Sequence, residues 1–340
     1  MVLRRIGVMC LWIAVFITVP ASQADVQREA ELVHVIFDTD MDTDCDDAGA
    51  LAVLHALADR GEIRILGTPV SSKHHWSGAC VDAINTFFGR PDLPIGVPAG
   101  PGAIERGSRY ARQITRSFPH DFSVDAPPDA TAVYREILAR QPDDSVVIVT
   151  VGYLTNIRYL LESKADAVSP LSGRELAKRK VKHWVCMGSR YPADRDPGKW
   201  GNFKPDAKSA VEAVRQWPGR IIFTGGGAFA RSLSTGRGLV NLPENNPIRR
   251  VYELYFDGRA KDRHSADQIA VLVAARGPQH PWKIVTQGHN HLFANGTHEW
   301  RTELDNPNHA YVSALADGVD PCSVSATIEA LMSGEAHPVP

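Results

Sequence analysis

The residues best suited to chemistry stand in one short stretch near the start of the chain, VIFDTDMDTDCDDAGALAVL, residues 35–54. This stretch holds six closely spaced aspartates, which are Asp38, Asp40, Asp42, Asp44, Asp46 and Asp47. In an extended segment, side chains at every second position share one face, so the first five carboxylates would point the same way, about 7 Å apart. Like charges this close need a compensating cation. Because all these ligands are oxygens, the stretch predicts calcium or magnesium rather than zinc.

The spacing of the aspartates distinguishes between several kinds of cation site. An EF-hand loop beginning at Asp38 would need Gly at its sixth position and Glu at its twelfth, where the chain has Thr43 and Gly49. Aspartyl-phosphate hydrolases carry Asp-x-Asp-x-Thr, but counting from Asp38 places Asp42 at the fifth position. An EF-hand is therefore disfavoured, and a magnesium-dependent phosphohydrolase stays open as an alternative.

The composition limits the classes of protein to which the chain can belong. Its 340 residues are 44% hydrophobic and 22% charged and carry a formal net charge of −2. These values are typical of a globular protein with material for a sizeable core. Without a basic excess, the chain lacks the electrostatic footprint of a nucleic-acid binder. We therefore expect a small-molecule ligand and no nucleic acid.

Residues 1–24 differ in kind from the rest of the chain, because they combine two arginines, an apolar run over 6–19 and small residues up to Ala24. This pattern predicts a signal peptide, an exported protein that is periplasmic or secreted, and no stable membrane insertion after cleavage. Residues 25–340 are predicted to form a single domain. The remaining cysteines show no CxxC pair, so disulfides and buried free thiols both stay open.

Short apolar runs then alternate with segments of helical periodicity. The first four are VHVIF (33–37), AGALAVLHALADR (48–60), IRILGTPV (63–70) and ACVDAINTFFG (79–89). The alternation returns over 131–288 and gives six or more strands. It predicts an α/β fold with a mostly parallel open sheet, helices on both faces and a Rossmann-like core. Ligands collect at the carboxyl ends of such strands, where the aspartates lie. The tail over 287–312 is expected to be a loop-rich closing segment.

Five segments of the chain stand in the order of a known family. An Asp-x-Asp, a turn and an Asp-Asp pair come first, as Asp38, Asp40, Asp46 and Asp47. VTVGYLTNIRYLL, VCMGSRYP, NFKPDAKSAVEAV and SADQIAVLVAARG come after them. Together these segments resemble the inosine-uridine-preferring nucleoside hydrolase family, in the exported bacterial branch whose first turn is two residues longer. The resemblance implies a nucleoside-hydrolase-like fold and hydrolysis of N-glycosidic bonds in nucleosides or related ribosyl compounds.

The resemblance also implies a cation and its ligands. A calcium ion would be held by Asp40, Asp47 and Asp267 and by the backbone carbonyl of Val151. Asp40 would in addition orient and deprotonate a water bound to this ion, and that water would attack the anomeric carbon.

Other matching residues are implied to bind the sugar or to support the site. Asp46 would bind ribose hydroxyls, and Asn202 would hold the sugar while an oxocarbenium-like transition state forms. Asp38 would support the site from behind. Asp42 and Asp44 would either reach the ligand, with Asp44 sharing the sugar-binding role, or bend outward to water. Thr155 and Asn156 are expected to cap the helix that they begin.

The departures from the family fall on substrate recognition. Some members that use purines have a His directly before the late Asp, as the acid for the leaving group. Ala266 stands there in this chain, and His264 is the candidate that could replace it. Trp200 replaces an acid of the substrate loop, which indicates stacking on a ring, and His75 is a further candidate for the ring pocket. We therefore expect a substrate other than an ordinary ribonucleoside.

Two alternatives to the hydrolase stay open. One is a non-catalytic, calcium-containing ligand-binding protein on the same scaffold, which Trp200 and Ala266 favour. The other is the magnesium-dependent phosphohydrolase. By analogy with the family, the chain is expected to form a homo-oligomer, a dimer or a tetramer.

Overall fold

A seven-stranded sheet carries the site. The computed structural model describes residues 32–101, 107–191, 201–303 and 306–334. The strands are β1 (Val33–Asp38), β2 (Ile63–Gly67), β3 (Val146–Thr150), β4 (Val181–Arg190), β5 (Ile221–Gly226), β6 (Trp282–Val285), β7 (His289–Leu292), β8 (His298–Arg301) and β9 (His309–Leu315). Their order across the sheet is β2-β1-β3-β4-β5-β9-β6, and only β6 runs antiparallel to its neighbour. β7 and β8 form a separate antiparallel hairpin.

Helices connect the strands and cover both faces of the sheet. They are α1 (Asp46–Asp59), α2 (Ser77–Phe87), α3 (Ala111–Ser117), α4 (Ala130–Arg140), α5 (Thr155–Glu162), α6 (Gly173–Lys180), α7 (Ala207–Gln216), α8 (Ala228–Ser232), α9 (Pro247–Tyr255), α10 (Ala266–Arg276) and α11 (Pro321–Ser333), with a 3-10 helix over Arg237–Asn241. Alternate residues of β1 point to opposite faces. Val35 and Phe37 pack with α1, α2, α10 and α11, whereas Ile36 packs with α4 to α7. The predicted α/β fold is confirmed.

The packing of two helices brings acidic residues from distant parts of the chain together. α1 packs directly against α10, and both are buried along almost their whole length. Each begins with acids in its first turn, Asp46 and Asp47 in α1 and Asp267 in α10. Because negative charge is favourable at a helix N-terminus, both helices can begin with these carboxylates. The packing therefore places three acids from distant segments at one end of the sheet.

The tail differs from the sequence expectation. Residues 287–312 hold β7, β8 and the start of β9, so the prediction of a loop-rich closing segment is wrong. β7 and β8 consist mainly of polar residues, and β9 is interrupted by Ser313, so none of them shows the continuous apolar run that marks a buried parallel strand. The cysteines that the structure describes, Cys45, Cys80, Cys186 and Cys322, are all free thiols. Among the described residues, no helix combines the length and the apolar character needed to cross a membrane.

Candidate functional site

The loop between β1 and α1 carries most of the predicted site. β1 ends at Asp38, and Met41 has a φ of 42°, so the chain turns instead of continuing as an extended segment. The prediction that alternate aspartates share one face is therefore wrong. Asp47 fixes the turn, because its Oδ1 accepts hydrogen bonds from the Thr39 hydroxyl and from the backbone N–H of Met41.

A cavity of about 410 Å³ lies at the carboxyl ends of the parallel strands and collects most of the predicted residues. Those in its lining are Asp40, Asp44, Asp46, Asp47, Val151, Asn202, His264 and Asp267. They come from the loop after β1, the end of β3, the segment before α7 and the start of α10. The fold therefore brings together residues that the sequence places far apart.

The loops after β1 and β3 approach each other closely. A Cβ atom at Gly152 would lie 2.4 Å from the backbone nitrogen of Asp40, so this position requires a residue without a side chain. The close approach brings the Val151 carbonyl to the cavity. Asn202 Nδ2 donates to this carbonyl at 2.5 Å and to the Met187 carbonyl at 3.0 Å. Since a carbonyl oxygen has two lone pairs, Val151 can accept this bond and still face a cation.

The carboxylates of the cavity fit a hard cation. Oxygens of Asp44, Asp46 and Asp267 lie within 4.8 Å of one another, and Asp40 and Asp47 line the same cavity. Asp267 is only 1% exposed, and its Oδ1 has no hydrogen-bond partner among the described residues. A buried oxygen without a donor is costly. Calcium or magnesium would satisfy it, because these ions prefer carboxylate and carbonyl oxygens.

The three carboxylates that lie closest together are not the set implied by the family. That set consists of Asp40, Asp47 and Asp267, whereas the structure groups Asp267 with Asp44 and Asp46. All five acids line one cavity, so a cation there would be surrounded by more carboxylate oxygens than the sequence indicated.

Burial and mutual repulsion raise the pKa values of these carboxyls. Burial, and next the charge of Asp44, raises the pKa of Asp47 to about 7. Burial followed by the charges of Asp46 and Asp47 raises the pKa of Asp267 well above its usual range. The pKa of Asp40 is raised in the same way, by burial and then by Asp47. Near neutral pH these groups cannot all ionise unless positive charge joins them.

Arg263 supplies part of that charge, although no sequence pattern indicated it. Its Nη2 donates to Asp44 Oδ2 at 2.8 Å, and its Nε donates to Asp46 Oδ1 at 3.3 Å. Burial raises the pKa of Asp46, and the Arg263 charge opposes this effect. Arg263 and Asp46 are 217 residues apart in the chain. Arg263 also lies outside any apolar or helical pattern, so no local signal could have revealed the ion pair.

His264 reaches the cavity from just before α10. Its Nε2 lies 3.5 Å from Asp46 Oδ2, and its side chain is 25% exposed. The helix begins at Ala266, so His264 stands outside it, but the backbone still directs the imidazole to the acids. Burial, and next the charge of Arg263, lowers the pKa of His264 to about 4. The imidazole is therefore neutral at pH 7.

A second layer of polar contacts stands behind the cavity. Asp38 is fully buried, and its Oδ2 accepts hydrogen bonds from Tyr134 Oη at 2.8 Å and Asn156 Nδ2 at 2.9 Å. Burial raises the pKa of Asp38 to about 7, against the effect of these donors. Thr155 Oγ1 donates to Asp206 Oδ2 at 2.6 Å. The prediction that Thr155 and Asn156 cap α5 is wrong, because both side chains bind buried carboxylates instead.

The two aspartates of the longer turn do not point away from the protein. Asp42 is fully buried and its Oδ2 accepts a hydrogen bond from Ser72 Oγ at 2.8 Å. Asp44 lines the cavity and pairs with Arg263, with 34% of its side chain exposed. Asp42 therefore anchors the loop after β2, whereas Asp44 belongs to the site itself.

One predicted substrate contact, His75, is not among the described residues that line this cavity. His75 is exposed, packs edge-on against Trp76 and lines a second cavity, of about 340 Å³. The loop after β2 is held by Ser72 on Asp42, which leaves His75 outside the aspartate cavity. His75 is therefore removed from the candidate site. Trp200 lies outside the described residues.

Similar solved structures define the class of fold. The chain matches a plant nucleoside hydrolase with a TM-score of 0.65 and 16% identity, over 88% of this chain and 98% of the other. It matches the inosine-uridine preferring nucleoside hydrolase from Bacillus anthracis with a TM-score of 0.60 and 13% identity, over 89% and 99% of the two chains. The protein therefore has the nucleoside hydrolase fold.

Some similar structures are not named hydrolases. The type III effector protein XopQ, solved in complex with adenosine diphosphate ribose, matches with a TM-score of 0.61 and 15% identity over 91% of this chain and 96% of the other. By sequence, the chain matches no protein-family model and no curated protein.

Proposed function

We propose that the protein is a calcium-dependent hydrolase of N-glycosidic bonds in ribosyl compounds, in which water attacks the anomeric carbon. The observation that carries this proposal is the set of aspartates, from two distant segments, that line one cavity at the carboxyl ends of the strands. The fold supports it, since similar structures are named nucleoside hydrolases or were solved with adenosine diphosphate ribose.

The cation would be held by Asp40, Asp47, Asp267 and the Val151 carbonyl, with Asp44 and Asp46 beside them. When bound, it supplies positive charge that offsets the repulsion of these carboxylates and lowers the pKa of a neighbouring water. The orphaned Oδ1 of Asp267 is the feature that most favours a cation at this position.

Asp40 accepts the proton of the attacking water. It lines the cavity next to Asp47, and only 7% of it is exposed. Burial and the Asp47 charge make its carboxylate more basic than one in water.

Asp46 and Asn202 hold the sugar. The carboxylate of Asp46 accepts hydrogen bonds from ribose hydroxyls, and its charge favours the positive charge that develops on the ring. The Asn202 amide nitrogen donates to the Val151 carbonyl, directly after β3, and to the Met187 carbonyl, within β4. The Asn202 amide oxygen is therefore the atom that accepts a bond from a sugar hydroxyl.

His264 contacts the leaving group. It lines the cavity beside Asp46, and its lowered pKa keeps the imidazole neutral near pH 7. A neutral imidazole can donate its N–H to a departing base and stabilise the charge that forms there.

Release of free base from a panel of N-ribosides tests the proposal. We expect release with calcium, loss of release after chelation and recovery when calcium is restored, measured by chromatography of base and ribose. Asp267→Asn should lower kcat/KM at least about 100-fold, because it weakens the cation site. Asp257→Asn is the matched control, since Asp257 is 82% exposed and pairs only with the exposed Arg109 among the described residues.

The same experiment separates the alternatives. Calcium binding with no base released from any N-riboside would identify a ligand-binding protein on this scaffold. Magnesium-dependent release of phosphate from a phosphomonoester would identify a phosphohydrolase. Loss of activity in both Asp267→Asn and Asp257→Asn would show that the effect is not specific to the cavity.

We also propose that the protein is exported, on the pattern of residues 1–24 alone. Expression of the full chain in a bacterium with periplasmic fractionation tests this. We expect a periplasmic or secreted product whose N-terminal residue comes directly after Ala24, whereas an intact chain in the cytoplasm would contradict it.

A further inference from the structure

The cavity separates charge of opposite sign. Five aspartates line it, from the β1–α1 loop, the start of α1 and the first turn of α10. Three arginines line it as well, and they are Arg190, Arg231 and Arg263. Arg190 ends β4, and Arg231 lies in α8, directly after β5. The acidic residues and the first two arginines therefore come from different strand ends of the same sheet.

The arginines differ in what they bind. Arg263 is committed to Asp44 and Asp46, at 2.8 and 3.3 Å. Arg231 makes no ion pair with any carboxylate that the structure describes, and its side chain is exposed. The aspartates of the cavity therefore do not neutralise Arg231. Its charge acts on any ligand bound in the cavity and on His264, whose pKa it helps to lower.

The wall beside these arginines leaves room for a ligand group. Gly226 and Gly227 line the cavity between them. A Cβ atom on Gly226 would meet no heavy atom of the described residues within 4 Å, so no described side chain fills the space in front of it. Gly227, with a φ of 87°, lies against Arg190, whose Cδ would be 3.4 Å from a Cβ there. Because neither glycine has a side chain, a ligand group bound beside them can reach Arg190 and Arg231.

We propose that the substrate carries an anionic group, a phosphate or a carboxylate, which binds Arg231 and Arg190 while the ribosyl part faces the aspartates. The ribosyl part of this statement rests on the proposed function. The five carboxylates outnumber the charges of one bound cation and repel an anion, whereas Arg231 and Arg190 attract it, so the charge distribution also orients the ligand. A neutral nucleoside would use only the acidic half of the cavity.

Binding of ribose 5-phosphate and of ribose to the calcium-loaded protein, measured by calorimetry, tests the anion site directly. We expect ribose 5-phosphate to bind at least about 10-fold more tightly, since hydrogen bonds to charged groups are among the stronger ones. Arg231→Gln should reduce this ratio toward one, and Arg190→Gln should reduce it as well. Arg174→Gln, which removes an equal charge from an exposed position of α6, should keep the ratio. An unchanged ratio in Arg231→Gln would overturn the proposal. Equal binding of the two sugars, or no binding of ribose 5-phosphate, would overturn it if orotidine is also cleaved no faster than uridine.

The position of the anion on the substrate is found from the rates of base release. Uridine carries no anionic group. Uridine 5′-monophosphate carries a phosphate on the sugar, and orotidine carries a carboxylate on the base. Preference for either anionic compound over uridine, lost in Arg231→Gln, supports the proposal and tells the two sources apart. If uridine is cleaved as fast as both, the hydrolase stands and the anion site is wrong. If none is cleaved but ribose 5-phosphate binds through Arg231, the anion site stands and the hydrolase is wrong.

Discussion

Asp46 lies where the residues proposed to bind the sugar meet the residue proposed to contact the leaving group. Its carboxylate lies between the Arg263 guanidinium and the His264 imidazole, and its neighbours Asp44 and Asp267 are close enough to share a cation with it. The sugar contact proposed for Asp46 would therefore lie beside the leaving-group contact proposed for His264. Only the contact proposed for His264 depends on the leaving group. Substrates with different leaving groups can therefore distinguish the effect of His264 from that of Asp46.

Substitution of His264 by Gln should affect only substrates with poor leaving groups. For inosine we expect kcat to fall about 100-fold, because assistance to a leaving group typically contributes 10²-fold or more. For 4-nitrophenyl riboside, whose phenolate leaves without help, kcat should change less than about 3-fold. Steady-state rates on the two substrates provide the comparison. Equal losses on both would assign His264 to the sugar or to the structure of the loop.

The sequence identified some residues of the site and missed others for a physical reason. Asp40 and Asp47 stand in a dense motif, and Asp267 begins a recognisable apolar helix. Arg263 has no such context, and its partners lie more than half the chain away, so only the fold brings the charges together. His75 was wrongly included in the predicted site. It follows the second strand in the sequence, but this position does not decide which cavity a loop residue faces.

At the scale of elements, the strands buried on both faces were the easiest to predict. VVIVT in β3 is completely buried and is read as an apolar run. β9, HAYVSAL, lies between β5 and β6 but carries polar residues, so its place in the sheet was not visible from the sequence. The β1–α1 loop was misjudged because Met41 adopts a positive φ, which no residue pattern announced.

The contact between α1 and α2 contains a buried histidine that should make stability depend on pH. His55 Nε2 lies 2.9 Å from Asn85 Oδ1, Arg90 Nη1 lies 3.2 Å from His55 Nδ1, and the ring stacks on Phe88. Since a guanidinium only donates, Nδ1 accepts and Nε2–H donates to Asn85. The neutral tautomer therefore satisfies both neighbours, and burial lowers the pKa of His55 to about 3.

A lowered pKa stabilises the folded state above the unfolded pKa of about 6.5, and this stability is lost as the pH falls toward 3. Between about pH 7.5 and 5.5, His55 should cost the folded protein about 1.4 kcal/mol. In His55→Gln this loss is absent, so the difference in unfolding free energy between the two proteins should shrink by the same amount. Urea denaturation at the two pH values measures it. A difference that stays constant with pH would show that His55 does not titrate in this range.

At the scale of the whole molecule, the acidic cavity opposes folding unless a cation is present. The proposed calcium site exists only in the folded arrangement of distant segments, so calcium should raise the stability by about 2.7 kcal/mol at 100 times its Kd. For a chain of this size, that corresponds to a rise in Tm of roughly 4 °C. The rise should be saturable and should be removed by a chelator, as measured by calorimetry or near-ultraviolet circular dichroism.

Asp267→Asn should reverse the order of stability between the two conditions. Without calcium, the variant lacks one of several mutually repelling buried carboxyls, so its Tm should exceed that of the unsubstituted protein by a few degrees. With calcium, the variant has lost a ligand, so its Tm should rise less and fall below that of the unsubstituted protein. Asp257→Asn should behave like the unsubstituted protein in both conditions. A variant that is less stable by the same amount with and without calcium would mean that Asp267 only supports the packing of α10 against α1, because a packing defect does not depend on the cation.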